Sequence, residues 1–115
     1  MSDTERLKKI INNWHNLKRE MEQRGVTKDL LLKDEFLQWA VTTPLYNIGE
    51  QVYLLSKDFK SRYPDQPWNL VAGMRHRLVH DYDGVNWNII VEVIYSDMDP
   101  FVNAISAILN KEKEK

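Results

Sequence analysis

An all-α bundle is the fold class this sequence predicts, and three observations predict it. Apolar residues recur at three- and four-residue steps along nearly the whole chain. Strand-like alternation is absent; Asn88 to Ile94 is rich in β-branched residues but is short and has no second segment to pair with. Helix-capping residues, glycines and prolines fall between the apolar stripes. The expected architecture is a single domain over residues 1–115, with two long and three shorter helices and a fraying charged tail over 110–115.

The first helix opens on Ser2 and Glu5, which fit a capping box. Leu7, Ile10, Ile11, Trp14, Leu17 and Met21 form its stripe, and Gly25 is a C-terminal stop. A second long helix carries Leu37, Val41, Leu45, Ile48, Val52, Leu55 and Phe59. Pro44 lies inside it and predicts a kink or a break. Ser61 to Gln66 reads as a loop. Pro67 suits the first position of a third helix, where its missing N–H costs nothing. That helix bears Trp68, Val71, Ala72, Met74, Leu78 and Val79 and should end near Asp81 to Gly84. A fourth starts near Asn86 with Trp87, Ile90, Val91 and Ile94. Asp99 and Pro100 read as an N-cap and first-turn proline of the last helix, which bears Phe101, Val102, Ile105, Ile108 and Leu109.

Composition narrows the function. The chain has 115 residues, 43% hydrophobic and 29% charged, as expected of one soluble globular domain rather than a disordered chain. A net charge of −1 excludes a protein that coats nucleic acid by bulk charge, but leaves room for a local basic groove. With no cysteine, disulfide scaffolds, thiol catalysis and cysteine zinc sites are excluded. No apolar run approaches the ~20 residues that span a bilayer, so no membrane partner is expected. The polar start Met1 to Glu5 is unlike a signal peptide, and a cytoplasmic protein is expected.

The chemistry concentrates in residues 68–82, which hold two of the three histidines together with Arg75, Arg77, Asp81 and Tyr82. At about 100° per residue, Arg75 falls among the apolar residues of its helix, whereas Arg77 points away. An arginine on a core-facing stripe is costly unless paired or placed at an interface. It is either a salt-bridged structural arginine or an anion site, since guanidinium geometry matches phosphate. His80 lies about 140° around the helix from Arg75. The two converge only if the helix ends near His80 or if two copies face each other across a two-fold axis. His80 is either a helix-end histidine favoured by the dipole or a proton carrier near neutral pH. His76 and His80 have metal-ligand spacing, but no third ligand is evident beyond Asp81 or Asp83, so no metal and no cofactor are expected. His15, beside the apolar stripe of the first helix and next to Trp14, reads as structural, and the tryptophans at 14, 39, 68 and 87 fit core or interface positions. There is no phosphate-cradling glycine loop, no nucleophile elbow and no known nucleic-acid-binding signature.

Arg75, His80 and Tyr82 form an Arg-x4-His-x-Tyr motif that resembles that of HepT-like proteins in the HEPN superfamily. Ile48-Gly49-Glu50 is similar to the family's Ile-Gly-Glu turn in the second long helix. Pro67-Trp68, Gly73-Met74-Arg75, Leu78 to Tyr82, Gly84-Val85 and Asp99-Pro100-Phe101 also fit, over roughly residues 33–110. The resemblance implies a HEPN helical bundle and a homodimer with both motifs lining one cleft. It implies a metal-independent endoribonuclease toxin of a toxin–antitoxin pair. The antitoxin would be a minimal nucleotidyltransferase of the MntA kind, which silences the toxin by transferring AMP to the motif tyrosine. Carried onto this chain, Arg75 and His80 are catalytic and Tyr82 is modified, with His76, Arg77 and Asp81 auxiliary. The family commonly has Asn where this chain has His76.

RNA carries its own nucleophile, the 2′-hydroxyl, so a metal-free enzyme needs a base, a cation for the phosphorane charge and an acid for the leaving 5′-oxygen. The products would be a 2′,3′-cyclic phosphate and a 5′-hydroxyl on the cleaved tRNA or mRNA. Arg77, Lys57, Lys60 and Arg62 are candidates for backbone contacts, against plain solvated-surface roles. The rival reading is a non-catalytic binding module that docks the nucleotidyltransferase and is modified by it.

Overall fold

The computed structural model of the chain describes residues 1–80 and 84–113. Among them every regular element is helical, as the apolar periodicity predicts. The helices are α1 (Asp3–Gln23), α2 (Lys28–Lys33), α3 (Glu35–Leu54), α4 (Lys57–Arg62), α5 (Trp68–His80), α6 (Trp87–Glu92) and α7 (Met98–Lys113). A single π-helical stretch, Val93–Asp97, joins α6 to α7. No described helix is long and apolar enough to cross a membrane.

Local chemistry sets the boundaries. The Ser2 hydroxyl accepts from the Glu5 N–H at 3.1 Å and starts α1. Gly25 ends it at φ +66°, with Val26 N–H donating to Met21 O and Gly25 N–H to Glu22 O, the paired bonds of a Schellman cap. Thr27 and Asp34 then cap α2 and α3 with their side-chain oxygens. The short α2 is not evident from periodicity, because six residues carry only one buried side chain, Leu31.

Several boundaries differ from those expected. The stripe from Leu37 to Phe59 is not one helix. It breaks at Leu55, because Ser56 caps α4 by accepting from the Phe59 N–H and also donates its own N–H and hydroxyl to Asp3 at 2.9 and 2.7 Å. Ser61 and Arg62 consequently belong to α4 rather than to a loop. Of the kink or break expected at Pro44, the break is not found, since α3 runs unbroken past it. Asp99 is not an N-cap. The chain is already helical at Met98, and the wider π turn accommodates the ring of Pro100 one turn later. The freed Asp99 carboxylate instead accepts from Trp14 Nε1 and Lys18 Nζ, both at 2.9 Å, and ties α7 to α1. At the other end, α7 stays helical through Lys113, and Glu112 accepts from the Tyr63 hydroxyl and from Arg62.

The core is apolar throughout the described residues, with no fully buried polar or charged residue. Helices α1, α3, α5 and α7 supply most of it. Trp68 is its aromatic centre, edge-on to Phe59 at 5.9 Å and to Phe101 at 5.6 Å. Its indole N–H donates to Tyr63 O, so the ring is buried without losing its hydrogen bond. This anchors the first turn of α5 and fixes the rotation of the helix that carries the candidate site.

Candidate active site

The site begins with a glycine. A Cβ on Gly49 of α3 would lie 3.0 Å from the Arg75 backbone nitrogen and 3.1 Å from Val71 O. Helices α3 and α5 therefore touch backbone to backbone, an approach that only a residue without a side chain permits. The contact delivers the next residues of α3 to Arg75. The guanidinium carbon stands 3.8 Å from the Tyr53 ring centroid, and Nη1 is 3.7 Å from a Glu50 carboxylate oxygen.

The resulting electrostatics are unusual for a half-buried arginine. At 3.7 Å the Glu50 contact is an ion pair longer than the ~2.7–2.9 Å of a charge-assisted hydrogen bond. Among the described residues Arg75 donates no hydrogen bond, and its buried Nε has no acceptor. Its side chain is only 23% exposed. The charge is held by ring stacking and a loose ion pair, and no described residue takes a hydrogen bond from its terminal nitrogens.

The histidines lie on a different strip of the same helix. His76 and His80 are exposed, with ring centroids 4.9 Å apart and planes tilted by 33°. Helix α5 is regular through His80, so the angular separation read from the sequence holds within one chain. No hydrogen bond or ion pair links Arg75 to His80 among the described residues. Arg77 is exposed on the polar side, as helical geometry predicts. Asp81 and Tyr82 lie outside the described residues, as does Asp83 of the metal reading. Among the described residues no three metal-ligating side chains come together.

Sequence reading misses the roles of Glu50 and Tyr53. Glu50 is visible there only as part of a motif, and Tyr53 carries no signal except its position one turn beyond Gly49 and Glu50. Of the four tryptophans, Trp14 and Trp68 are core residues and Trp87 packs partly against the core, whereas Trp39 is 65% exposed. His15 is exposed, and its positive field helps to hold Asp99 below the usual carboxylate range, after the larger effect of the Lys18 hydrogen bond.

The all-helical bundle is consistent with the HEPN fold, and a half-buried arginine, on the helix that ends in the histidines, lies beside its Ile-Gly-Glu segment. The family model described as "Ribonuclease HepT-like" matches residues 3–108, and the chain belongs to that family. It is 38% identical over 90 residues to a protein of Caldanaerobacter subterraneus subsp. tengcongensis named "Putative RNase", covering 78% of this chain and 80% of that one. A protein of Methanocaldococcus jannaschii with the same description is 37% identical over 84 residues, 73% of this chain and 69% of that one. A third, named "Probable ribonuclease HepT", from Thermococcus cleftensis, is 36% identical over 75 residues, 65% of this chain and 68% of that one. No solved structure matches the chain.

Proposed function

We propose that this protein is a metal-independent endoribonuclease of the toxin type, with Arg75 and His80 as its catalytic residues. The observation that carries the reading is the Arg75 guanidinium, held by Tyr53 and Glu50 with no hydrogen bond among the described residues, on the helix that presents His80 to solvent. The names of the relatives support the same class of activity.

His80 takes the proton from a ribose 2′-hydroxyl. The 2′-oxygen attacks the adjacent phosphorus while the bond to the 5′-oxygen breaks. That oxygen leaves with a proton from a general acid, giving a 2′,3′-cyclic phosphate and a 5′-hydroxyl. Arg75 neutralises the charge that develops on the phosphoryl oxygens. Attacking and leaving oxygens stand roughly in line on opposite sides of phosphorus. Each proton carrier must come within about 3 Å of its oxygen. His76 and His80 of one chain are stacked side by side at 4.9 Å and so approach the phosphate from the same side. The acid therefore comes from His80 of a second copy, which makes the working unit a homodimer with one shared cleft. The exposed aromatic residues Phe36, Trp39 and Tyr53 along α3 are apolar surface for such a pairing.

The resemblance also supports a means of silencing. A nucleotidyltransferase antitoxin transfers AMP from ATP to the Tyr82 hydroxyl and releases pyrophosphate. The added phosphate competes for the charge of Arg75, and its bulk closes the cleft.

The test is cleavage of total tRNA in EDTA by wild type and His80→Ala, with the mass of Tyr82 checked and the RNA ends mapped. Cleavage by wild type alone, leaving cyclic phosphate, is the expected result. Inactive, unmodified wild type would leave the binding module as the better reading.

A further inference from the structure

A basic groove lies between α4 and the first turn of α5. Its volume is about 570 Å³, and Lys57, Lys60, Ser61, Gln66 and Asn69 give it polar walls over a floor that includes Trp68. Among the described residues no acidic side chain lines it, in a chain whose net charge is −1. Neither lysine is in an ion pair among the described residues; the Lys60 ammonium donates long hydrogen bonds to the Val52 and Tyr53 carbonyls at 3.5 and 3.4 Å. A groove with two ammonium groups that pair with no described carboxylate, and several neutral hydrogen-bonding side chains, suits a string of phosphodiesters rather than an apolar ligand.

The groove is continuous with the candidate site along α5. Asn69, Gly73, His76 and His80 follow at steps of four, three and four, so they share one strip of the helix. Asn69, His76 and His80 are exposed. From Asn69 to His80 the strip is about 16 Å long, room for a few nucleotides. At its middle, a Cβ on Gly73 would meet nothing within 4 Å. Among the described residues nothing requires that glycine, although glycine within a helix is destabilising relative to alanine. A bare backbone there lets a ribose or base lie flat against α5.

We propose that the α4–α5 groove is a phosphate subsite for the same RNA strand, holding nucleotides to one side of the cleaved bond, with the strand crossing Gly73 to reach His80. This rests on the ribonuclease reading of Arg75 and His80. It adds Asn69 as a substrate-binding residue and joins it in one groove with Lys57 and Lys60, two of the candidates for backbone contacts.

The experiment measures binding of a fluorescent single-stranded RNA, 2′-O-methylated throughout and so uncleavable, across a NaCl series, alongside cleavage of the unmodified RNA. Wild type is compared with Lys57→Ala/Lys60→Ala and with Lys57→Ala/Lys60→Arg. The second variant retains a cation at the end of α3 should the first fail to fold. Loss of both phosphate contacts should lower the slope of log K against log[salt] by about 1.4. Affinity should fall about tenfold at moderate salt, with half of the slope change in the second variant. Cleavage at saturating RNA should stay near wild type while KM rises. Unchanged affinity and slope in variants of a cleaving wild type would overturn the subsite and leave the ribonuclease standing. Lysine-dependent binding by a wild type that does not cleave would support the subsite and overturn the catalytic reading. A wild type that neither binds nor cleaves overturns both.

Discussion

The guanidinium of Arg75 stacks on the ring of Tyr53 at 3.8 Å, and this contact crosses from α5 to α3. The ring is itself 53% exposed, so the stack forms at the edge of the core rather than within it. Tyr53 fixes the plane of the guanidinium without consuming a donor, unlike a hydrogen-bonded partner. We expect Tyr53→Ala to lower kcat/KM for RNA about tenfold and to cost about 0.5–1 kcal/mol of stability. Tyr53→Phe keeps the ring face and should restore cleavage. If both variants lose activity equally, the phenol hydroxyl matters and the stacking argument is wrong.

Arg75 itself separates charge from geometry. Arg75→Lys retains a cation but loses the planar fork and the stacking face. We expect a loss of cleavage on the order of a hundredfold, close to that of Arg75→Ala, as for removal of one preorganised donor to a developing oxyanion. Single-turnover kinetics on one defined RNA would measure it. Near-normal cleavage by the lysine variant would reduce Arg75 to a point charge.

The two helical glycines should respond in opposite directions. Gly49→Ala drives a methyl group against backbone atoms 3.0–3.1 Å away, where no flexible side chain can yield. It should cost about 1–3 kcal/mol, read from the urea midpoint, because α3 and α5 must separate. Gly73→Ala meets open space and should add up to about 1 kcal/mol of stability through helix propensity alone. The same alanine should weaken RNA binding severalfold if the strand crosses there. A Gly73→Ala variant with higher stability and unchanged RNA affinity would remove the reason given for that glycine.

These residues also show what a sequence reveals of such a fold. Periodicity exposes the faces of α1, α5 and α7, because each must bury a stripe, and the buried residues lie on the expected stripes. It also places Arg75 toward the core and Arg77 toward solvent. It does not reveal the break at Leu55, because the apolar steps continue across it into Phe59. The break depends on Ser56 bonding to Asp3, 53 positions away. Nor does it reveal Tyr53, whose importance arises only when Gly49 brings two backbones together. Asp99-Pro100 carries a strong local cap signal, and the π turn with its bonds to Trp14 and Lys18 overrides it. Local pattern reports what one element buries. Partners supplied by distant elements need the fold.

The Asp99 link gives a pH dependence whose sign is fixed. The Lys18 hydrogen bond, joined by that of Trp14 and opposed by partial burial, holds the Asp99 carboxyl below its usual range. The same bond raises Lys18 above the usual lysine range. Because the folded state binds the Asp99 proton less readily than the unfolded state, the stabilisation is complete above the ordinary aspartate value of about 4. It is lost as pH falls from there through the lower folded value. Both side chains are substantially exposed, 41% for Lys18 and 51% for Asp99, so solvent screening limits the pair to about 1 kcal/mol or less. Asp99→Asn retains an acceptor for the Trp14 N–H but not the charge. In urea melts it should be less stable than wild type at pH 7, and the gap should close as pH drops toward 3. The gap should also shrink in high salt. A difference between the two proteins that stays constant from pH 7 to pH 3 would mean that the carboxylate acts through packing and not through its charge.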